Sequence, residues 1–536
     1  MSVAELTSTG TLTGEMLIGA RAIRGTHGRI HAINPATGAE MEPEFGEGGE
    51  REVDEACSLA EAAFNPFRAL PLETRAHFLE AIAQGILDLG DVLIERVMAE
   101  SGLPRPRIEG ERARTVGQLR LFASLAREGR WLNATIDPAM PDRKPLPRAD
   151  LRSQKIGVGP VAVFSASNFP LAFSVAGGDT AAAFAAGCPV IAKSHSSHLG
   201  TSELVGRVVQ KAVKDCGLPE GVFSLLVGGG RTVGEALVKH PAIRAVGFTG
   251  SRKVGQGLVA VAAAREVPIP VYAEMSSINP VFLLPGALAE RAEKIGQGLI
   301  DSVTLGTGQF CTKPGVVIGV AGADFDRFRA AAQSAIEAKT ATTMLNPTIH
   351  KAYCEGTSAW SSHKFLKPLS QGAAAAPGSY AGQPIIFGVD ADDFIASPEL
   401  LDEVFGPAAL IIECKSIAQL IAIAEHLNGQ LTATMHMAPG DVTLARQLVP
   451  TLERKAGRLI VNGFPTGVEV CYAMVHGGPS PSTSDSRVTS VGAMSIERFL
   501  RPVCYQDFPA ELIPEPLKDG NPLRLWRLVD GKLQQG

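Results

Sequence analysis

The sequence predicts an α/β protein built on a Rossmann-like parallel sheet, followed by a second α/β domain and a small arm. Three observations predict this. Strand-like and helix-like segments alternate from Val158 to Ala264, a small or polar residue stands at each strand-to-helix junction, and a second alternation runs from about Ala287 to His476. Such alternation requires parallel strands with helices on both faces. It places ligands at the carboxyl ends of the strands, where helix N-termini point.

The bulk properties bound the answer. A chain of 536 residues is long enough for about three to four domains. Its 45% hydrophobic and 20% charged residues are ordinary for a soluble globular protein. A net charge of −5 argues against nucleic acid or an anionic membrane as partner. The eight cysteines form no CxxC, which excludes the usual zinc spacing, and no metal site is expected. Residues 1–20 lack a basic start and an apolar run, so no secretory signal is expected. The longest apolar stretch, Ala181 to Ala192, is broken by Gly187 and Pro189 and is too short to span a bilayer. A cytoplasmic location is therefore expected.

In chain order, Asn34 to Gly38 reads as a turn between short strands. Residues 53–102 repeat apolar positions at helical spacing, and a further helix is expected from Ile108 to Glu128. Pro138 to Pro147 is proline-dense, hence extended and outside any core. Strands are then expected at Val158–Phe164, Val190–Ala192, Val222–Val227 and Ala245–Thr249, each followed by a helix. In the second alternation strands fall near Gly315–Val320, Ala408–Ile412 and Leu459–Asn462. The proline-rich tail from Arg498 is expected to wrap a neighbour rather than form a core. The division is thus 1–137 with 158–286, then 287–480, with 138–157 and 481–536 as arm and tail.

Chemistry collects at the junctions. Ser165-Ala-Ser-Asn168 follows the first strand, Lys193-Ser-His-Ser196 the second, and Gly250-Ser251 the fourth, while Gly228-Gly-Gly-Arg231 adds a flexible loop with a positive charge. Glycine and hydroxyl residues that open a helix can hold a phosphate on backbone N–H groups. None fits GxGxxG. In the second half, Cys311 stands in a turn with Gly306, Gly308 and Gly315, which leave room for a ligand beside the backbone. A thiol so placed suits a nucleophile, although free cysteine is also a common core residue.

Five motifs in order carry a family resemblance: SNFP at 167–170, GFTGS at 247–251, EMSSINP at 274–280, GQFC at 308–311 and EVFGP at 403–407. The chain resembles the aldehyde dehydrogenase superfamily over about residues 15–507. Pro465–Val470, His476–Pro479 and Arg498–Asp507 resemble the α-ketoglutarate semialdehyde (2,5-dioxovalerate) dehydrogenases. The NADP-linked fatty aldehyde dehydrogenases of luminous bacteria are a neighbouring group and the alternative reading.

The resemblance implies roles residue by residue. Cys311 attacks the aldehyde carbon, and Asn168 with the Cys311 N–H holds the oxyanion. Glu274 activates the water that hydrolyses the thioester. Ser165, Lys193, Gly250 and Ser251 bind the cofactor, Glu403 meets the nicotinamide ribose, and Phe405 lies beside the ring. NAD-preferring relatives carry Glu where Ser196 stands. Serine removes that charge, and Arg231 can then pair with a 2′-phosphate, so NADP is expected with NAD also accepted. A dicarboxylic semialdehyde needs a cation for its distal carboxylate, and Arg114 and Arg487 are the candidates. A homodimer or homotetramer is implied, with the arm and the strand-like Val488–Met494 pairing subunits. Two departures stand out: Ala166-Ser167 in place of Pro-Trp, and Met275-Ser276-Ser277 in place of Leu-Gly-Gly.

Overall fold

The computed structural model describes residues 11–535. Its first sheet has seven strands in the order Val271–Glu274, Ala245–Thr249, Val161–Phe164, Val190–Lys193, Phe223–Leu226, Met16–Ile18, Arg21–Ile23. The first five are parallel, and Met16–Ile18 joins antiparallel to Phe223–Leu226. Winding reverses between Val161–Phe164 and Ala245–Thr249. At such a switch point the loops after neighbouring strands diverge and open a crevice.

The expected helices form around this sheet. Residues 53–102 divide into Glu50–Arg68, Leu72–Asp88 and Gly90–Ser101, separated where Pro71 cannot continue a helix and where Gly90 takes a left-handed φ of 54°. The fourth helix is Arg105–Glu128. The alanine-rich helix Gly178–Ala186 is buried at every position, so its small side chains let it pack closely beneath the sheet. The first turn of the helix Leu199–Asp215 is held by a distant carboxylate: Glu100 accepts from Gly200 N at 2.7 Å and Thr201 N at 2.8 Å.

The second sheet also has seven strands, in the order Lys367–Gln371, Ile385–Asp390, Ala408–Cys414, Val316–Val320, Val281–Leu283, Gln430–His436, Ala456–Val461. All neighbours are parallel except the outermost Lys367–Gln371. Val281–Leu283 belongs to this sheet, so it begins before the expected division at 286/287. Three residues were too few to stand out in the alternation.

The arm is a five-stranded sheet in the order Leu500–Gln506, Leu151–Gly157, Thr135–Asp137, Arg527–Val529, Lys532–Gln534. Thr135–Asp137 therefore sits with the arm rather than the first domain. Two expectations are corrected here. Val488–Met494 forms no strand, since residues 488–492 are irregular and lead into a 3-10 turn, Ala493–Phe499. The tail packs on its own chain: Ile513 and Leu517 form a small core with Ala134 and Ile136. Prolines limit helix there but do not prevent burial of the apolar residues between them. Among the described residues no helix is long and apolar enough to cross a membrane.

Candidate active site

The carboxyl ends of the first sheet face a cavity of about 950 Å³ lined by residues of both sheets, among them Ser165, Asn168, Lys193, Glu274, Cys311 and Glu403. Cys311 enters it from the second half of the chain. The helix Pro285–Thr304 ends in a tight turn, Leu305–Gly308, in which Gly306 and Thr307 both have positive φ. Cys311 follows, partly exposed to the cavity. The glycines here serve the packing of protein on protein rather than ligand space. A Cβ on Gly308 would meet the Gly406 backbone at 2.3 Å, and one on Gly306 would meet the Phe310 ring at 2.7 Å.

Glu274 ends the strand Val271–Glu274, on the switch-point side of the first sheet. Its neighbours are tied to residues 482–484: Met275 N donates to Ser482 O at 2.8 Å and Ser484 N to Ala273 O at 3.0 Å. That pairing brings the irregular segment after Val470 alongside the strand and delivers His476, whose N–H donates to Thr489 Oγ1 at 2.8 Å. His476 Nε2 lies 3.0 Å from Glu274 Oε2 and 3.4 Å from Cys311 Sγ. Facing an ionised carboxylate, Nε2 carries the proton of that contact. His476 is 1% exposed and Glu274 2%. The three reactive atoms lie within 4.8 Å of one another.

This geometry sets the proton chemistry. Burial pushes the Glu274 carboxyl up, but His476, then Cys311 and Ser490, hold it below the ordinary value. Burial and the Glu274 carboxylate push the Cys311 thiol well up, with Arg114 opposing. At rest the proton sits on sulfur and the charge on Glu274, so the carboxylate is placed to take it.

Asn168 follows the strand Val161–Phe164 and donates through Nδ2 to Gln309 O at 3.1 Å, two residues before the thiol. The Cys311 N–H donates to no carbonyl of the described residues outside regular elements. Both donors of the expected oxyanion pair thus stand beside the nucleophile.

Of the two serines that replace glycines, Ser276 lines the cavity and Ser277 is absorbed by a buried polar network. Ser277 Oγ lies 2.9 Å from Gln430 Oε1 and 3.0 Å from Asn279 Oδ1. Ile278 N donates to Gln430 Oε1 at 2.8 Å. Asn279 Nδ2 donates in turn to Cys311 O at 2.8 Å and Lys313 O at 3.0 Å, fixing the nucleophile turn.

A dinucleotide fits the residues on the cofactor side. Ser165 Oγ and Glu403 Oε1 are buried without a hydrogen-bond partner, and both residues line the cavity. Ser251 caps the helix Arg252–Ala263, accepting from Val254 N. Burial pushes the Lys193 ammonium down to about 8. Ser196, Gly250 and Phe405 also line the cavity. Arg231 does not. It is exposed and only its neighbour Gly230 is a lining residue.

Outside the cavity lining, Phe169 packs edge to face on Phe310 at 5.5 Å and on Phe173 at 5.2 Å. Arg107 lies over Phe169 and Phe310 at 4.6 and 5.3 Å. Arg114 lies 5.9 Å from the Phe173 centroid and donates to Val468 O. Arg487 is a correction. It is 85% exposed and its guanidinium grips Asp485 two residues away at 2.6 and 2.9 Å, so it forms a surface pair outside the cavity. Sequence reasoning missed His476 in its catalytic contacts, Arg107, and Arg458, which donates to Pro465 O at 2.6 Å and Gly467 O at 2.9 Å. In particular, the Cys–His contact that the sequence did not reveal is present.

Comparison with known proteins matches this arrangement. The aldehyde dehydrogenase family profile covers residues 23–501. The chain is 58% identical to alpha-ketoglutaric semialdehyde dehydrogenase 2 of Azospirillum brasilense, over 98% of this chain and 100% of that protein. It is 47% identical to the alpha-ketoglutaric semialdehyde dehydrogenase of Acinetobacter baylyi, over 97% and 99%. In fold it is similar to Aldehyde Dehydrogenase C of Pseudomonas syringae, solved with NAD+ and octanal, with a TM-score of 0.78, 22% identity and 92% and 97% of the two chains covered. Lactaldehyde dehydrogenase of Escherichia coli superposes with a TM-score of 0.79 at 21% identity, covering 92% and 98%. With a thiol, a carboxylate and an amide lining one cavity, a family profile over most of its length and near full-length relatives of one kind, the chain belongs to the aldehyde dehydrogenase family.

Proposed function

We propose that the protein oxidises α-ketoglutarate semialdehyde to α-ketoglutarate with NADP, accepting NAD as well, as a cytoplasmic homodimer or homotetramer. The observation that carries the reaction is the contact of Cys311, Glu274 and His476 beside Asn168. Support for the substrate comes from the near full-length identity to semialdehyde dehydrogenases and from Arg114, whose charge bears on the thiol. Support for a reducing compartment comes from eight cysteines without a disulfide. The strand Leu500–Gln506 is an edge of the arm sheet, which suits pairing with a second copy.

Glu274 takes the Cys311 proton, and the thiolate bonds to the aldehyde carbon. Asn168 Nδ2 and the Cys311 N–H donate to the oxygen as it gains charge. NADP, when bound, supplies the two-electron acceptor for the hydride that leaves this carbon. Cys311 is then held as a thioester. Glu274 releases that first proton to solvent and takes a second from water as the hydroxide adds to the carbonyl. The C–S bond breaks, the carboxylate leaves, and sulfur regains a proton. His476 donates to Glu274 throughout and so holds its carboxylate toward both sulfur and water. On the cofactor side Ser165, Lys193, Ser251 and Glu403 would hold the dinucleotide. Ser196 would leave space for a 2′-phosphate, with Lys193 the nearest cation of the lining and Arg231 outside it.

A fatty aldehyde is the second reading, favoured by the aromatic cluster of Phe169, Phe173 and Phe310. Arg114 argues against it, because it sets a cation whose charge bears on the thiol, where an alkyl chain offers nothing to pair with it. The test is NADP reduction at 340 nm with α-ketoglutarate semialdehyde and with decanal, for wild type and Arg114→Ala. The semialdehyde is expected to be preferred, and Arg114→Ala should raise its KM about ten-fold or more, the worth of one charge-assisted hydrogen bond. Comparable kcat/KM for both aldehydes in the wild type overturns the dicarboxylate assignment. An unchanged semialdehyde KM in the variant removes Arg114 from it.

A further inference from the structure

Lys313 is 1% exposed, and nothing in the reaction above uses it. It stands two residues beyond the nucleophile. Its Nζ crosses to the loop that carries Glu403 and Phe405, donating to Ala408 O at 2.8 Å and Val404 O at 3.2 Å. Glu403 belongs to that loop and lines the cavity, with Oε1 enclosed and without a hydrogen-bond partner. The same two loops also touch through backbone, since Gly308 packs directly on Gly406. At its other end the Lys313 backbone is pinned by Asn279, which holds the carbonyls of Cys311 and Lys313 together.

We propose that Lys313 is a positioning residue: it couples the Cys311 turn to the Glu403–Phe405 loop and so sets where that loop stands relative to the thiol. The proposal rests on the reading that Glu403 faces the nicotinamide ribose. An apolar side chain would fill the same space but leave two loop carbonyls without a donor. It would also remove the cation that bears on Glu403. Burial pushes Glu403 up and Lys313 opposes this, and burial pushes Lys313 down and Glu403 opposes that. A buried charge pair is a poor source of stability, so what a lysine supplies here is a fixed geometry.

Lys313→Met and Lys313→Arg are compared with the full-length wild type for NADP KM, kcat, and the isotope effect on kcat with substrate deuterated at the aldehyde carbon. In Lys313→Met the NADP KM should rise about ten-fold and the isotope effect should exceed that of the wild type, because a displaced ring makes hydride transfer slower. Lys313→Arg keeps charge and donors and should fall between the two; it carries the test if Lys313→Met does not fold. Unchanged NADP KM and isotope effect in the folded variants overturn the proposal. Cofactor-independent hydrolysis of p-nitrophenyl acetate reads the thiol alone. A loss there as large as the loss of dehydrogenase activity would assign Lys313 to holding Cys311 and also overturn it. Glu403→Gln separates the two readings. A raised NADP KM in Glu403→Gln with wild-type behaviour in Lys313→Met sinks the coupling alone, whereas a wild-type KM in Glu403→Gln sinks the role of Glu403 and the coupling with it.

Discussion

Replacing His476 with leucine tests the least expected member of the site. The ring donates to Glu274 at 3.0 Å, and both side chains are buried, so leucine leaves the carboxylate without this donor. A hydrogen bond to a charged partner contributes about 1.5–3 kcal/mol, and one pKa unit corresponds to about 1.4 kcal/mol. Burial pushes Glu274 up, and His476 is the largest of the influences that hold it down. With the ring gone, burial dominates. The Glu274 pKa should therefore rise. The carboxylate is the active form, so activity is present above this pKa and lost below it. The acid limb of kcat/KM against pH should move upward, with about a ten-fold or greater loss at its acid end, read from NADPH formation between about pH 5 and 9. At about pH 6 the variant should thus lose far more than at about pH 8. An acid limb that stays in place while activity falls evenly at all pH values would refute the reasoning and reduce His476 to a packing residue.

The remaining predictions address one step each. Asn168→Ala should lower kcat by about 10²–10³ with little change in KM, as for loss of one oxyanion donor; a change confined to KM would make it a substrate-binding residue. Glu274→Gln should abolish the burst of NADPH in rapid mixing as well as steady turnover, because the thiol loses its base before the thioester can form. A burst near one equivalent per subunit followed by slow turnover would mean that Glu274 acts on water alone. Ser196→Glu should raise the NADP KM at least about ten-fold while sparing NAD, through repulsion between carboxylate and 2′-phosphate. Parallel changes for both cofactors would place the phosphate elsewhere.

How much of this was legible in the sequence depends on the range of the signal. The strands Ala245–Thr249 and Val190–Lys193 and the helix Arg105–Glu128 follow local hydrophobic period and local breakers, so they stand where expected to within a few residues. Cys311, Glu274 and Asn168 were found because ordered motifs mark them, and the fold brings them to one cavity. His476 carries no such signal as a catalytic neighbour. It is 165 residues from Cys311, in a stretch without helix or strand, and only the pairing of residues 482–484 with the Glu274 strand delivers it. Arg487 failed for the converse reason: its neighbour Asp485 satisfies it on the surface, a contact that charge alone does not announce. Within the arm, Thr135–Asp137 was not placed because the strands there are short and pair across hundreds of residues, as Leu500–Gln506 does with Leu151–Gly157.

The serines at 276 and 277 show how a departure from a family pattern can relocate a requirement instead of abolishing it. Ser277 brings a side chain where a close approach is otherwise made by glycine, and a buried hydroxyl there needs a partner. Gln430, at the start of a strand of the second sheet, supplies it and also accepts from Ile278 N. Asn279 then takes a positive φ of 44°, a conformation that asparagine tolerates better than most residues. It accepts from Thr432 Oγ1 at 2.9 Å and donates to the carbonyls on either side of Thr312. The two sheets are thereby joined by side-chain hydrogen bonds within a few residues of the thiol. A network of this kind is stable only when every member is satisfied, so Ser277, Asn279, Gln430 and Thr432 must be read as one unit. Its last donors end on the Cys311 turn, and a loss anywhere along it is expected to reach the nucleophile.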